Sequence, residues 1–190
     1  MGRAIGTRIW RRANQARAFF AKSHRAYEDW FSLIRYQHVS LRIVPANQQY
    51  WSNRLGSSFD KLDQYDNRYF TFGAGPPNGD TGGCSPTGPL TSAPNRVADL
   101  NTAPSFPLEK LSYRPSTEDE LIEKMLARDQ AYDDNLLYAC FPENNDGYYN
   151  SNSFAAGLIN AVGLPLPRRP SSFPALYPGW RKPIPNNLFY

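Results

Sequence analysis

The chain of 190 residues is long enough for one domain with its own apolar core, and its 41% hydrophobic and 14% aromatic content excludes a wholly disordered protein. Seventeen prolines and thirteen glycines indicate long irregular connections rather than an ideal helical bundle. The sequence contains no uninterrupted run of about 18 apolar residues, so it predicts no transmembrane helix. The net charge of +4 does not by itself indicate a nucleic-acid partner.

Basic residues are concentrated at the beginning of the chain, where residues 1–45 hold nine of the 21 Lys and Arg residues but only two of the 17 acidic ones. Apolar side chains recur there at helical spacing, at Ile9, Ala13, Ala16 and Phe20. This pattern predicts a basic amphipathic helix over residues 1–29. The helix packs on the domain, docks onto an anionic surface or a protein partner, or serves in targeting, and the sequence leaves these alternatives open. Nucleic-acid binding ranks last, because the nearby aromatic residues follow the apolar stripe.

Two segments further along have the composition and alternation of strands. In the first, Val39, Leu41 and Ile43 alternate with polar residues until Pro45 ends the run. The second is the segment RYFTFGAG, at residues 68–75. We expect the two strands to form an antiparallel pair, with the polar segment between them as a long loop.

The segment that follows, residues 73–94, is rich in Gly, Pro, Ser and Thr and predicts another long loop. Its glycines are not followed by Gly-Lys-Ser/Thr or by a helix, which argues against a phosphate-binding loop. A short strand is expected at residues 96–100.

The clearest helix signal begins at Thr117, which forms a capping box with Glu120 at the start of an acidic first turn. The buried stripe of this helix consists of Leu121, Ile122, Met125 and Leu126. The helix is expected to end near Tyr132, before a short strand at residues 136–141.

The C-terminal residues 166–190 are proline-rich and predict an extended tail that wraps the domain. Its expected anchors are Phe173, Leu176, Tyr177 and Trp180. Together with the basic helix at 1–29, the tail would flank a central domain at residues 30–165. Cys84 and Cys140 are too few for a disulfide scaffold and lack metal-binding spacing, so one buried thiol and one loop thiol are expected.

The stretch YYNSNSF, from Tyr148 to Phe154, precedes the last apolar helix, which Gly163 is expected to terminate. Asn150 or Ser151 is a suitable helix cap, and caps are commoner than nucleophiles. A serine in a first helical turn is nevertheless well placed for nucleophilic attack, because helix-terminal N–H groups stabilise an oxyanion. Such a serine needs a base, and His38, at the start of the first strand, is the better placed of the two histidines.

The order of a His-bearing strand (QHVSLRIVP), a second strand and a helix opened by YNSNSF resembles the circularly permuted papain-like hydrolases, which include NlpC-type peptidases and lecithin:retinol acyltransferase-like enzymes. The resemblance covers roughly residues 30–165. It implies an α+β fold in which an antiparallel sheet packs against the nucleophile-bearing helix. It places the general base at His38, the nucleophile at Ser151 and a helix-docking aromatic at Phe154. The family nucleophile is typically Cys, so Ser151 indicates either a serine-using branch or a site that retains binding alone.

The resemblance does not identify the residue that orients the imidazole, and Thr71 on the second strand is the candidate. Asn150, Asn152, Tyr148 and Tyr149 are candidates to line the substrate site, with the backbone N–H groups of Ser151 and Asn152 as oxyanion donors. The expected reaction is hydrolysis or acyl transfer at an amide or ester of a peptide, peptidoglycan or lipid, without a metal or cofactor. Such a domain would suit a soluble, secreted bacterial effector. The alternative is an inactive binding or structural module that docks through its basic N-terminal helix.

Overall fold

A computed structural model describes residues 17–23, 35–36, 38–63, 65–77, 88–100, 103–107, 118–144, 146–166 and 175–190. These residues form an α+β fold with an antiparallel sheet, which confirms the predicted fold class at this level. The helices in this part of the chain are α1 Gln48–Leu55, α2 Val97–Leu100, α3 Glu118–Ala131 and α4 Ser151–Ala161. Short 3-10 helices lie at Gly56–Phe59, Pro142–Asn144 and Asn186–Phe189.

The strands within the described ranges are β1 Arg17–Ser23, β2 Arg35–Tyr36, β3 His38–Val44, β4 Lys61–Leu62, β5 Arg68–Gly75, β6 Thr91–Pro94, β7 Ala103–Pro107, β8 Leu137–Tyr138, β9 Tyr148–Tyr149 and β10 Ala175–Leu176. The main sheet has the order β4-β5-β3-β1-β7, and β6 pairs with β5; all of these pairings are antiparallel. Two small parallel pairs, β2 with β10 and β8 with β9, lie outside it.

The first strand of the sheet corrects the N-terminal prediction. Residues 17–23 belong to β1, so the helix predicted over residues 1–29 is wrong for the part of that segment that the structure describes. β1 pairs along its whole length with β3 and on its other side with β7. Hydrogen bonding to two neighbouring strands stabilises an extended chain at this position, and sheet pairing of this kind overrides a local helical period.

The predicted antiparallel pair of strands is confirmed by β3 and β5, with Leu41 opposite Phe72. The apolar residues Val39, Leu41 and Ile43 alternate along β3 and are buried. The opposite face of the sheet carries Ser40 and Thr71, which are also fully buried. The centre of the sheet is therefore covered on both faces, and polar side chains are enclosed on one of them.

Two elements between the predicted strands differ from expectation. The connection predicted as a long loop contains α1, whose Asn47 side chain accepts a hydrogen bond from the backbone of Tyr50 at 3.2 Å. The buried Trp51 fixes this helix, because its indole donates to Asp119 on α3 at 2.7 Å. Residues 97–100, predicted as a strand, form the short helix α2 instead. Tertiary contacts with α3 and β5, which local propensity does not encode, favour these helices.

The two long helices begin and end close to their predicted positions. On α3, the predicted stripe is buried at Leu121, Ile122, Met125 and Leu126. Helix α4 is buried over almost its full length, and Phe154 packs against Tyr132 and Phe189 with ring centroids 5.3 and 5.7 Å apart. Gly163 follows α4 with a φ of +84°, the left-handed conformation that favours glycine at a helix end.

The C-terminal segment crosses α4 at close range, with Tyr177, Trp180, Ile184 and Phe189 buried. The backbone N–H of Ile184 donates to the carbonyl of Ser153 at 3.1 Å. At Gly157, a Cβ atom would fall 2.8 Å from the Ile184 carbonyl oxygen and 2.9 Å from its nitrogen. The crossing therefore requires glycine at position 157. No helix in the described ranges is both long and apolar enough to span a bilayer.

Cys140 is disulfide-bonded, which corrects the expectation of free thiols. The only other cysteine in the sequence is Cys84. Cys140 also has a role in packing, because its carbonyl accepts a hydrogen bond from the Asn150 side chain at 3.0 Å, immediately before α4. The cross-link is thus attached to the start of that helix.

We predict that Gly157→Ala destabilises the protein, although alanine favours an isolated helix over glycine by about 1 kcal/mol. The added methyl group would meet backbone atoms of Ile184 rather than a movable side chain. Urea denaturation should show a loss of about 1–3 kcal/mol. A stabilised Gly157→Ala protein would mean that the C-terminal segment does not pack on α4 as described.

We also predict a pH dependence caused by Asp129, which is 4% exposed. Burial raises the pKa of Asp129 from 3.8 to about 7, despite an opposing hydrogen bond from Ser92. The folded protein binds this proton more tightly than the unfolded chain. The contribution of protonated Asp129 to the free energy of unfolding is therefore complete below about pH 3.8 and is lost as pH rises through 7.

Asp129→Asn removes the titration, so its stability relative to wild type should rise by up to about 4 kcal/mol between pH 4 and pH 8. Denaturation at a series of pH values measures this difference. Asp146→Asn, which replaces an exposed carboxylate, is the control. Parallel pH profiles for Asp129→Asn and wild type would contradict the assignment.

Candidate active site

The central feature of the site is a buried carboxylate that is hydrogen-bonded to a histidine. Nε2 of His38 lies 2.5 Å from Oδ1 of Asp99, and the side chains are 18% and 0% exposed. The two residues are 61 positions apart in the sequence. A histidine held by a buried carboxylate, with part of its ring still exposed, is suited to proton transfer.

Asp99 reaches the imidazole because of the local structure of α2 and β5. The turn before α2 is fixed by Asn95, whose backbone N–H and side-chain oxygen bond to the carbonyl and the N–H of Thr71 at 2.9 and 3.0 Å. The Asp99 carboxylate then lies directly against Gly73 of β5, where any Cβ would collide with it. Glycine at position 73 therefore makes room for the carboxylate.

This geometry assigns different roles to the two nitrogens of His38. A carboxylate accepts a hydrogen bond, so Nε2 carries the proton shared with Asp99. In the neutral imidazole, Nδ1 is then the unprotonated nitrogen and the atom that can accept a proton from a substrate or a hydroxyl. When the ring becomes positively charged, the Asp99 carboxylate stabilises that charge.

The start of α4 is capped by Asn150, as the sequence predicted for residue 150 or 151. Its Oδ1 accepts from the backbone N–H groups of Asn152 and Ser153, both at 3.0 Å. Its Nδ2 donates to the carbonyls of Cys140 and Pro178, also at 3.0 Å. The N–H of Asn152, expected as an oxyanion donor, is therefore engaged by the cap, which does not use the N–H of Ser151.

Asn152 links three elements through its side chain and is 1% exposed. Oδ1 accepts from the backbone N–H of Val39 at 2.7 Å, and Nδ2 donates to the carbonyl of Pro178 at 2.8 Å. Val39 directly follows His38. The Asn152 side chain thus positions the start of α4 beside the histidine and is a structural group rather than an exposed substrate contact.

The two serines have different surroundings. Ser153 is fully buried and donates to the carbonyl of Gly179 at 3.1 Å. Ser151 is 6% exposed, and its hydroxyl donates to Oδ1 of Asn152 at 3.4 Å, longer than the usual 2.7–2.8 Å of such bonds. It forms no hydrogen bond with His38 in the described structure. Ser151 and the backbone next to His38 instead share one acceptor, Oδ1 of Asn152.

The remaining predicted site residues, Thr71, Tyr148 and Tyr149, lie on two different strands. Thr71 is fully buried on β5, its hydroxyl has no hydrogen-bond partner within the described residues, and the group bonded to the imidazole is Asp99. Tyr148 and Tyr149 form β9 before the cap and are partly buried. The Lys182 ammonium lies 5.2 Å from the centre of the Tyr149 ring, which attaches that strand to the C-terminal segment.

Sequence reasoning did not identify Asp99, because residues 96–100 were assigned to a strand and their partner lies on another element. A weak signal is present in Gly73, whose side of β5 must remain open for a group from another segment. Within the described residues, no three His, Cys, Asp or Glu side chains are grouped to hold a metal ion.

Comparisons with known proteins give no further assignment: no protein-family model, no characterised protein and no solved structure matches this chain.

Asn152→Ala should destabilise the protein by about 1–3 kcal/mol, because it leaves the buried N–H of Val39 and the carbonyl of Pro178 without these partners. Chemical denaturation measures the loss. Asn160→Ala, at a partly exposed position of the same helix, is the matched control and should cost less. Equal losses in the two variants would contradict the linking role of Asn152.

Proposed function

We propose that this protein is a permuted papain-like hydrolase or acyltransferase that acts on an amide or ester bond, with Ser151 as nucleophile, His38 as base and Asp99 as the residue that orients the base. The observation that carries the proposal is the hydrogen bond between His38 and the fully buried carboxylate of Asp99. Burial isolates the carboxylate from solvent, so it fixes one orientation and one tautomer of the ring.

In the first step, the Ser151 oxygen attacks the substrate carbonyl carbon while Nδ1 of His38 takes the hydroxyl proton. The tetrahedral intermediate collapses, the bond to the leaving group breaks, and Nδ1 returns the proton to that group. A water molecule, or another nucleophile in acyl transfer, then attacks the acyl-enzyme. His38 again removes a proton and returns it to the Ser151 oxygen.

For the first step, the Ser151 hydroxyl must turn from Asn152 towards His38. The hydrogen bond that it gives up is long, at 3.4 Å, so breaking it costs little. The Ser151 N–H, which the cap does not use, is available at the positive end of the α4 dipole to bind the oxyanion.

The disulfide bond of Cys140 supports the expectation that the protein is secreted. Cys140 is disulfide-bonded, and stable disulfides are typical of proteins in oxidising surroundings and rare in the cytosol of most organisms. We therefore infer that the protein acts outside a reducing cytoplasm. The substrate remains one of three classes: a peptide, a peptidoglycan fragment or a lipid ester.

A serine-directed fluorophosphonate probe tests the proposal. Wild type should be labelled at Ser151, as read by mass spectrometry of the modified peptide, and Ser151→Ala should not. His38→Ala and Asp99→Asn should lower the labelling rate by about 10²-fold or more, because the base is lost or misoriented.

Thr71→Val is the matched control for Asp99→Asn, because it removes a buried hydroxyl at nearly constant shape and leaves the hydrogen bond between His38 and Asp99 in place. Its labelling rate should stay close to that of wild type. Loss of labelling in Thr71→Val with retention in Asp99→Asn would return the orienting role to Thr71. No labelling of folded wild type would remove the enzymatic proposal.

The second candidate function is a papain-like binding or structural module without catalysis. The hydrogen bonds at the start of α4 favour it, because Asn150, Ser151, Asn152 and Ser153 all have structural partners. It predicts no labelling of wild type and unchanged biological activity of Ser151→Ala.

A further inference from the structure

A second charged side chain, that of Arg96, lies against strand β5 next to the position that Asp99 covers. The β5 residues Gly73 and Gly75 share one face of the strand, since side chains alternate along it. Asp99 lies against Gly73, and the guanidinium of Arg96 lies over Gly75. A Cβ at position 75 would fall 2.5 Å from Nη2 and 2.6 Å from Nη1 of Arg96.

Positions two residues apart on a strand are separated by about 7 Å, so the two β5 positions that Asp99 and Arg96 cover are neighbours on one face of the strand. Both charged residues belong to the same turn, in which the N–H of Asp99 donates to the carbonyl of Arg96 at 2.8 Å. The turn that carries the residue orienting the base thus also carries this cation.

The Arg96 guanidinium has no acidic partner among the described residues, whose ion pairs are His38 with Asp99, Arg54 with Glu123 and Lys61 with Asp60. It is only partly exposed and held against the strand, so it differs from a freely solvated surface arginine. A guanidinium presents parallel N–H donors that match a carboxylate.

We propose that Arg96 binds a carboxylate of the substrate, so that the enzyme selects peptides with a free carboxylate next to the scissile bond. The substrate selection in this inference rests on the proposed function, whereas carboxylate binding by Arg96 does not. A single positive charge matches a singly charged carboxylate, whereas a phosphate group carries more charge and is usually bound by several cations or N–H groups.

The first experiment measures binding without chemistry, in the Ser151→Ala protein. N-acetyl-Ala-Ala and its C-terminal amide are titrated into the protein, and their dissociation constants are measured by isothermal titration calorimetry. The free acid should bind about tenfold more tightly than the amide, because a hydrogen-bonded ion pair is lost in the amide. Arg96→Gln should abolish the difference.

Two variants control this measurement. Gly75→Ala should displace the guanidinium without removing its charge and should reduce the preference for the acid. Arg54→Gln removes an exposed arginine that pairs with Glu123 and should leave the preference unchanged. Equal binding of acid and amide to the folded protein, or a preference that survives Arg96→Gln, would overturn the inference. Inorganic phosphate binding more tightly than the acid would overturn the carboxylate assignment.

The second experiment separates this inference from the proposed function. Two fluorophosphonates that differ only in a terminal carboxylate or carboxamide are compared in wild type and Arg96→Gln. The carboxylate probe should label wild type about tenfold faster, and the variant should label at one rate with both. Labelling without this preference overturns the Arg96 site alone. Carboxylate binding by Ser151→Ala without labelling of wild type overturns the nucleophile alone.

Discussion

The geometry of the site depends on one buried side-chain amide, that of Asn152. It accepts from the backbone of β3 next to His38 and donates to the carbonyl of Pro178 in the C-terminal segment. Without this side chain the buried N–H of Val39 would lose its hydrogen-bond partner, at a cost of about 1–3 kcal/mol. The position of α4 against the histidine-bearing strand is therefore fixed by hydrogen bonding as well as by packing.

Glycine allows another segment to approach closely at two positions of the core, one on β5 and one on α4. Gly73 admits the Asp99 carboxylate against β5, and Gly157 admits the Ile184 backbone against α4. In both cases, a Cβ would occupy the space of the approaching group. These positions connect packing to the proposed site, because the first crossing orients the imidazole and the second covers the helix that carries Ser151.

The proposed site combines groups with separate structural and chemical roles. Asn150 and Asn152, expected to line the substrate site, are committed to hydrogen bonds within the protein. His38 remains partly exposed, while Asp99 is enclosed. Buried amides thus hold the framework, and the accessible imidazole is the group available for proton transfer.

The sequence by itself determined the elements whose pattern is local. The apolar alternation of β3 and β5, the acidic start of α3 and the Asn-Ser opening of α4 were sufficient to predict these elements, whereas the α+β class was predicted from the family resemblance. His38 and Ser151 were candidates for the same reason, since each stands at the beginning of a recognisable element.

Only the tertiary structure decided which groups meet. Asp99 is 61 residues from His38, and Asn152 is 113 residues from Val39, so no local periodicity encodes either contact. The same limit explains β1 and α1, where sheet pairing and the Trp51 contact with α3 outweighed local composition. Propensity acts over one or two turns, whereas the partner of a buried polar group depends on the path of the whole chain.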